Sequence, residues 1–484
     1  MLAKLFQVMP QSIRFLIVLL FHLAVSIAEA TSLFNLTGSV HGFGDVVGPY
    51  LLSKRMVESG ETVYVLLDAR AERVLKTFLE TPGELVSREG IHFVRLEDLP
   101  ELPKIDRLFE VFLGARSATG TNVDVRPYLR WQPETIIEAQ DLHSPFGRPR
   151  FPLDLLATGV SQIKTSRGSL QFSAAGLGRE RLGILVDKSV DRYVGKTLEE
   201  RRALAAEVFG ESSLIRELIQ RTTHAEAKLG FAYGIHNEVF ESEVWKPYPG
   251  QFASYLEGVK AIAQESGAPV ILLSPNDRGA LDKARGTVDA KILGLEDLAH
   301  LKSLKKKEVY VVATGPISNR QFVALTAVSD IPYLIEGDSS LSAAVRLGKP
   351  FAMLKGPWGL FGIDGLSRAL SEAGATWAPT VYPIRDQQGT DAPNFSSLPQ
   401  MARDTAVFSK LKANANDWAQ SLLTIVALAE GRKNPVDVFA VIRDPLLRYS
   451  YETRFGKTTA LRESEYFESI LAAKSRLSCR AAFH

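Results

Sequence analysis

The alternation of apolar strand-like runs with amphipathic helices after Thr31 constrains this chain more than any other feature. Phe34 to Val40 sets Phe34, Leu36 and Val40 on a period of two, the mark of a strand. A loop from His41 to Asp45 follows. A helix then runs from about Val46 to Ser59, with Val47, Leu51, Leu52 and Met56 on one face, and stops at Gly60. Thr62 to Leu67 is β-branched and apolar throughout, as a buried strand is. A helix over 70–79 and strands near 91–95, 107–113 and 135–140 continue the series. Repeated βαβ units imply a parallel sheet with right-handed crossovers.

A second series begins after a helical stretch at about 197–222. Its strands fall near 229–234, 269–274, 288–293, 309–314, 332–336 and 350–354, with helices such as 250–265 and 318–328 between them. Between the two series, 144–180 is rich in Gly, Pro, Ser and Arg and reads as long loops or a small excursion on the first half. The expected fold is therefore α/β, with two Rossmann-like domains and a helical C-terminal region. The expected boundaries are 31–225, 226–400 and 401–484, with a hinge near 223–228. A chain of 484 residues fits this division. Fifty-seven Lys plus Arg against 55 Asp plus Glu leave a net +2, which offers no electrostatic footprint for nucleic acid. One cysteine, Cys479, excludes an intrachain disulfide and any metal site built on cysteines. The eight histidines are scattered, so no metal centre and no cofactor are expected.

Residues 1–30 read as a signal peptide. Lys4 and Arg14 precede an apolar run from Phe15 to Ile27, and Ala28-Glu29-Ala30 supplies small residues at the two positions read for cleavage. The expected mature chain starts at Thr31 and is secreted or periplasmic, an uncleaved membrane anchor being the alternative. Asn35-Leu36-Thr37 matches a glycosylation triplet but lies within a strand, and is read as a chance match.

Two loops carry the candidate chemistry. The first is Gly38-Ser39-Val40-His41-Gly42-Phe43-Gly44-Asp45. Gly42 and Gly44 let the backbone turn tightly at the carboxyl edge of the sheet, and a helix start there favours anions. Asp45 and His41 are the candidate general bases, His41 because an imidazole titrates near neutrality. The same glycines, with Asp68 ending the second strand, admit an NAD(P)-dependent oxidoreductase. However, the only Tyr-x-x-x-Lys pair in reach, Tyr50 and Lys54, lies in the helix straight after the loop.

The second loop is Tyr333-Leu334-Ile335-Glu336-Gly337-Asp338-Ser339-Ser340-Leu341. A buried strand ends in two carboxylates around a glycine, and two serines open a helix. Asp338 or Ser339 is a natural N-cap. In the functional reading, the N–H groups of Ser339, Ser340 and Leu341, with the serine hydroxyls, hold a diphosphate, and Asp338 stands beside them in the donor site. Glu336 then reaches a sugar or ribose hydroxyl. Arg320 or Lys355 supplies a cation, and Phe231 or Tyr233 stacks on the base or sugar.

On these residues the chain resembles a GT-B glycosyltransferase, and distantly the inverting protein-arginine rhamnosyltransferases that act on elongation factor P. His41-Gly42-Phe43-Gly44-Asp45 stands where that family has Asp-Asn-Phe/Tyr-Gly-Asp. Phe231-Ala232-Tyr233 stands for its Phe-x-Tyr. Glu336-Gly337-Asp338-Ser339-Ser340 followed by Gly348-Lys349-Pro350-Phe351 stands for its Arg-Gly-Glu-Asp-Ser and Gly-Lys-Pro-Phe/Leu. The family's leading aspartate is His41 here and its donor-loop arginine is Glu336, so the acceptor is left open as a protein or glycan. The resemblance implies an inverting, metal-independent transfer from a nucleotide-diphosphate sugar. A secreted two-lobed solute-binding protein shares the leader, the two lobes and the hinge, and is the alternative of another class.

Overall fold

The computed structural model describes residues 30–37, 43–80, 83, 85–88, 90–112, 123–140, 161–172, 176–177, 182–185, 188–210, 213–223, 227–235, 250–297, 304–354, 362–383 and 393–455. The leader, His41 and Gly42 lie outside them.

The first sheet has seven strands in the order β3-β2-β1-β4-β5-β6-β7. Five are parallel: β1 (Thr31–Asn35), β2 (Thr62–Leu66), β3 (Ile91–Val94), β4 (Arg107–Phe112) and β5 (Thr135–Gln140). Helices α1 (Phe43–Glu58) and α2 (Ala69–Phe78) join β1 to β2 and β2 to β3. Asp68 caps α2, accepting from the N–H groups of Arg70 at 2.9 Å and Ala71 at 2.8 Å. Its carboxylate is a helix cap here, which removes the acidic partner the dinucleotide reading needed.

Within the stretch read as loops, β6 (Ser161–Thr165) and β7 (Gly168–Phe172) form an antiparallel hairpin that extends the sheet. Only Ile163, Leu170 and Phe172 among its hydrophobic positions reach the core. Three apolar contacts in ten residues are too few for a period-two signal to emerge from a Ser/Gly-rich background.

Helices α3 (Leu198–Val208) and α4 (Leu214–Thr223) lead into the second series. Strands β8 (Lys228–Phe231), β9 (Val270–Ser274), β10 (Lys291–Gly294) and β11 (Val309–Ala313) form a parallel sheet in the order β10-β11-β9-β8. Helices α5 (Gln251–Ser266), α6 (Arg278–Arg285) and α7 (Asn319–Val328) connect them and lead to the parallel pair β12 (Tyr333–Ile335) and β13 (Phe351–Met353), with α8 (Asp338–Leu347) between. A bridge from Ala232 to Leu334 sets β12 beside β8. Beyond lie α9 (Gly362–Ala373), α10 (Ala378–Val381), α11 (Leu398–Arg403), α12 (Thr405–Ala413), α13 (Trp418–Ala429), α14 (Pro435–Val441) and α15 (Pro445–Phe455).

The buried apolar residues fall mainly into two cores. Helices α3 and α4 pack with the second sheet, as do α9 to α12. The apolar faces of α13 to α15 pack back onto the first sheet, where Trp418, Leu422, Ile425 and Leu447 join Phe34, Phe109, Ile163 and Phe172. The chain changes core near 177–190 and again near 411–418. The two crossings run side by side: Ile184 N–H donates to Asn416 O at 3.0 Å and Trp418 N–H to Ile184 O at 3.1 Å. Gly183, at φ +108, lies so close to the Asn416 carbonyl that a side chain could not fit between them.

Candidate active site

In a parallel α/β sheet, ligands sit outside the carboxyl ends of adjacent strands whose connections leave in opposite directions. In the first sheet those strands are β1 and β4. Asn35 ends β1 and is buried, its amide donating to Val123 O at 3.0 Å and accepting the Thr37 hydroxyl at 2.7 Å. So engaged, it is no glycosylation acceptor in the folded chain. Its neighbour in register is Glu110 on β4, and the next is Glu138 on β5. Burial pushes the Glu110 carboxyl up, Arg126 opposes that, and the Glu138 carboxylate adds to it. The α1 helix begins at Phe43, so Gly44 and Asp45 lie in its first turn. The side chain of Asp45, like the whole of His41 and Gly42, lies outside the described residues.

Where the second sheet meets the β12–β13 pair, the diverging strands are β8 and β12. The β8 chain continues as Ala232-Tyr233-Gly234, and Tyr233 N–H donates to Leu334 O at 2.9 Å, pulling the two strand ends together. Glu336, directly after β12, is buried to 9% exposure. Gly234 is at φ +94, and a Cβ there would collide with the Cβ of Glu336 and lie 2.8 Å from its Oε2. Only glycine allows this backbone conformation with a carboxylate nested against it. Burial and, behind it, the Glu336 charge raise the Tyr233 phenol above its usual value.

The structure shifts the register of the second loop by one residue. The N-cap of α8 is Gly337, at φ +82, and it carries no capping side chain. Asp338 and Ser339, expected as the cap, are the first two helical residues. Their side chains lie outside the described residues. The N–H of Leu341 donates to Gly337 O at 3.1 Å, and its side chain is fully buried. Leu341 is thus a core residue whose amide is consumed by the helix, and an anion-binding role for it does not survive. The first-turn amides left over are those of Asp338, Ser339 and Ser340. Neighbouring helices differ: Ser318 and Gln321 cap α7 reciprocally, and Asp277 caps α6.

Phe231 is 1% exposed and packs edge-on to Phe322 with centroids 5.5 Å apart, so its ring is not offered to a ligand. Tyr233, edge-on to the same Phe322 at 5.1 Å, is the aromatic nearer the strand end. Arg320 is exposed in the first turn of α7, and Lys355 lies outside the described residues. Lys349, in the Gly348-Lys349-Pro350-Phe351 run, serves the fold. Its ammonium donates to Ala327 O at 2.8 Å and Ser329 O at 2.5 Å, closing the end of α7. Burial pulls its pKa down to about 7. Sequence reasoning missed Ser274, Asn276 and Thr314, which line the same carboxyl edge at the ends of β9 and β11. Asn276 Nδ2 donates to the Ser274 hydroxyl at 2.9 Å, and Thr314 N–H to Ser274 O at 2.8 Å. The Ser-Pro-Asn-Asp that follows the apolar run of β9 is the signal that could have found them.

No family model and no curated protein matches this chain. Among solved structures it is similar to S. aureus MnaA in a co-structure with UDP, at 11% identity over 84% of this chain and 97% of that one, with a TM-score of 0.40. It is similar also to a family 9 glycosyltransferase from Veillonella parvula, at 11% identity over 78% and 97%, TM-score 0.35. A glycosyltransferase from Rickettsia africae is 9% identical over 84% and 100%, with a TM-score of 0.40. Among the described residues, no cluster of His, Cys, Asp and Glu is arranged to hold a metal ion, and no helix is long and apolar enough to cross a membrane.

Proposed function

We propose that this chain is a glycosyltransferase of the two-lobed GT-B type, moving a sugar from a nucleotide-diphosphate donor to a protein or glycan acceptor. The observation that carries the reading is the strand divergence between β8 and β12. There an uncapped helix start, a nested carboxylate and an aromatic residue meet at one carboxyl edge. The diphosphate lies on the amides of Asp338, Ser339 and Ser340, where the α8 dipole favours negative charge, and accepts hydrogen bonds from the Ser339 and Ser340 hydroxyls. Glu336 accepts hydrogen bonds from the donor's hydroxyls, and Tyr233 stacks on the sugar or base. As the glycosidic bond breaks, charge grows on the leaving diphosphate, and the α8 amides with Arg320 stabilise it. Asp45 or His41, from the first loop, takes the acceptor proton, giving inversion in a single displacement. The reaction as drawn needs no metal. With residues 1–30 read as a signal peptide, or as an uncleaved anchor, this chemistry takes place outside the cytoplasm.

Calorimetric titration with UDP, TDP and GDP tests this. At a ligand concentration about a hundred times its Kd, binding raises the unfolding free energy by roughly 2.7 kcal/mol. Replacing Ser339 and Ser340 together by alanine should weaken nucleotide binding at least tenfold, since each hydrogen bond to a charged group contributes about 1.5–3 kcal/mol. Asp45→Asn should bind nucleotide normally and lose turnover. If none of the three nucleotides binds, the proposal fails.

A further inference from the structure

The two chain crossings, the last turn of α1 and the last turn of α8 enclose a pocket lined by Arg55, Lys188, Asp191, Arg346, Lys412 and Asp417, among others. It lies away from the strand divergence just described. Ser340 and Arg346 are about 9 Å apart along the α8 axis.

The charges in this pocket do not balance. Arg55 pairs with Asp417, Lys188 with Glu58 at 2.5 Å, and Arg346 with Asp191 at 2.7 Å. Each carboxylate is therefore already engaged by a cation. Among the described residues, no hydrogen-bonding or ion-pair partner reaches the Lys412 ammonium. Burial lowers its pKa, the guanidiniums of Arg346 and Arg201 lower it further, and the Asp191 carboxylate opposes them, with the net shift downward. Arg201 is itself half-buried; its Nε donates to Tyr193 O at 3.0 Å, and no carboxylate pairs with it among the described residues. A partly desolvated ammonium held among guanidiniums is unfavourable unless something supplies negative charge. The C-terminal end of α8 supplies part of it, since the Lys412 stem lies against Gly348, the α8 C-cap. Half an elementary charge at a helix end does not neutralise the surplus.

We propose that this pocket binds a small phosphate-type oxyanion, with Lys412 as its central contact and the Arg346 guanidinium beside it. The ligand would bridge both crossings, a position from which its occupancy bears on how the two cores are held together. The inference does not depend on the nucleotide-sugar reading, because it uses none of the same residues.

The test is thermal unfolding of the full chain, with and without inorganic phosphate and, separately, glucose 6-phosphate. Both should raise the wild-type midpoint. The larger response identifies the source as free phosphate or a phosphate ester. Lys412→Gln should weaken phosphate binding at least tenfold. In the absence of phosphate it should unfold at a temperature equal to or above wild type, because a repelled charge is removed. The S339A/S340A double variant should keep the phosphate response. Two results overturn the proposal. One is a phosphate response that survives Lys412→Gln or is abolished by S339A/S340A. The other is a Lys412→Gln midpoint below wild type without phosphate, which would make Lys412 a counter-charge for the end of α8 and nothing more.

Discussion

Arg107→Met is the substitution whose effect the structure fixes most tightly. Arg107 opens β4 at the amino edge of the first sheet and is 4% exposed. Its guanidinium grips Glu430 with Nε at 2.8 Å and Nη2 at 3.0 Å, and Glu61 with Nη1 at 2.6 Å. The hydroxyls of Thr135 and Ser32 each add a bond at 3.0 Å, to Glu430 and Glu61 respectively. Glu430 directly follows α13, so this cluster pins the returning C-terminal helices beneath the sheet. Methionine keeps the stem volume but leaves two largely buried carboxylates without their shared cation. Breaking a buried pair in this way costs about 3–5 kcal/mol. Burial raises the Glu430 pKa, but the hydrogen bonds and charge of Arg107 outweigh it and hold the carboxyl below its ordinary value. In the wild type, Glu430 therefore contributes stability that is present above the unfolded carboxylate pKa and lost as pH falls through the folded one. In the variant burial is opposed only by Arg432 and the Thr135 hydroxyl, so protonation relieves much of the buried charge. Denaturant unfolding of both proteins should show the full deficit at about pH 7 and a clearly smaller one at about pH 4, near the reference carboxylate pKa. A deficit below about 1 kcal/mol, or one unchanged between the two pH values, would refute the reasoning.

Two further outcomes follow from single positions. Gly234→Ala forces a side chain into a left-handed backbone and against Glu336, which together should cost about 2–4 kcal/mol. Nucleotide affinity should fall with it, and wild-type stability with wild-type affinity would detach Gly234 from the site. Thr31 N–H donates to the Asp106 carboxylate at 2.9 Å, so a chain cut after Ala30 would place its new ammonium on Asp106. N-terminal sequencing of the exported protein should begin at Thr31, and Asp106→Asn should lower the pKa of that amine; an intact Met1 in a membrane fraction contradicts both.

The sequence by itself determined many of the local elements, though not the β6–β7 hairpin or the bounds of β1, which runs Thr31–Asn35 where Phe34 to Val40 was expected. Strands β2, β9 and β11 and helices α2, α5 and α7 lie within a residue or two of their expected positions. Their apolar periodicity and their stop signals are properties of a few neighbouring residues, and Gly267 closes α5 in the left-handed conformation such a stop requires. The sequence also marked Glu336 to Ser340 as an unusual strand end. Tertiary structure decided what those residues face. Nothing in a run such as Ala232-Tyr233-Gly234 states that it will lie against Leu334 and Glu336, about a hundred positions later; pairing β8 with β12 does that. The cap of α8 fell on Gly337 because the backbone turns there at φ +82, a choice the preceding strand pairing imposes on a loop where Asp338 and Ser339 had equal local claims. The apolar stripes of α13 to α15 required burial without naming a surface. They went to the first sheet because the chain crosses back at Trp418 and the face of β6 and β7 stood open to receive them. Periodicity tells a segment that it must be buried, and only the assembled fold supplies the partner.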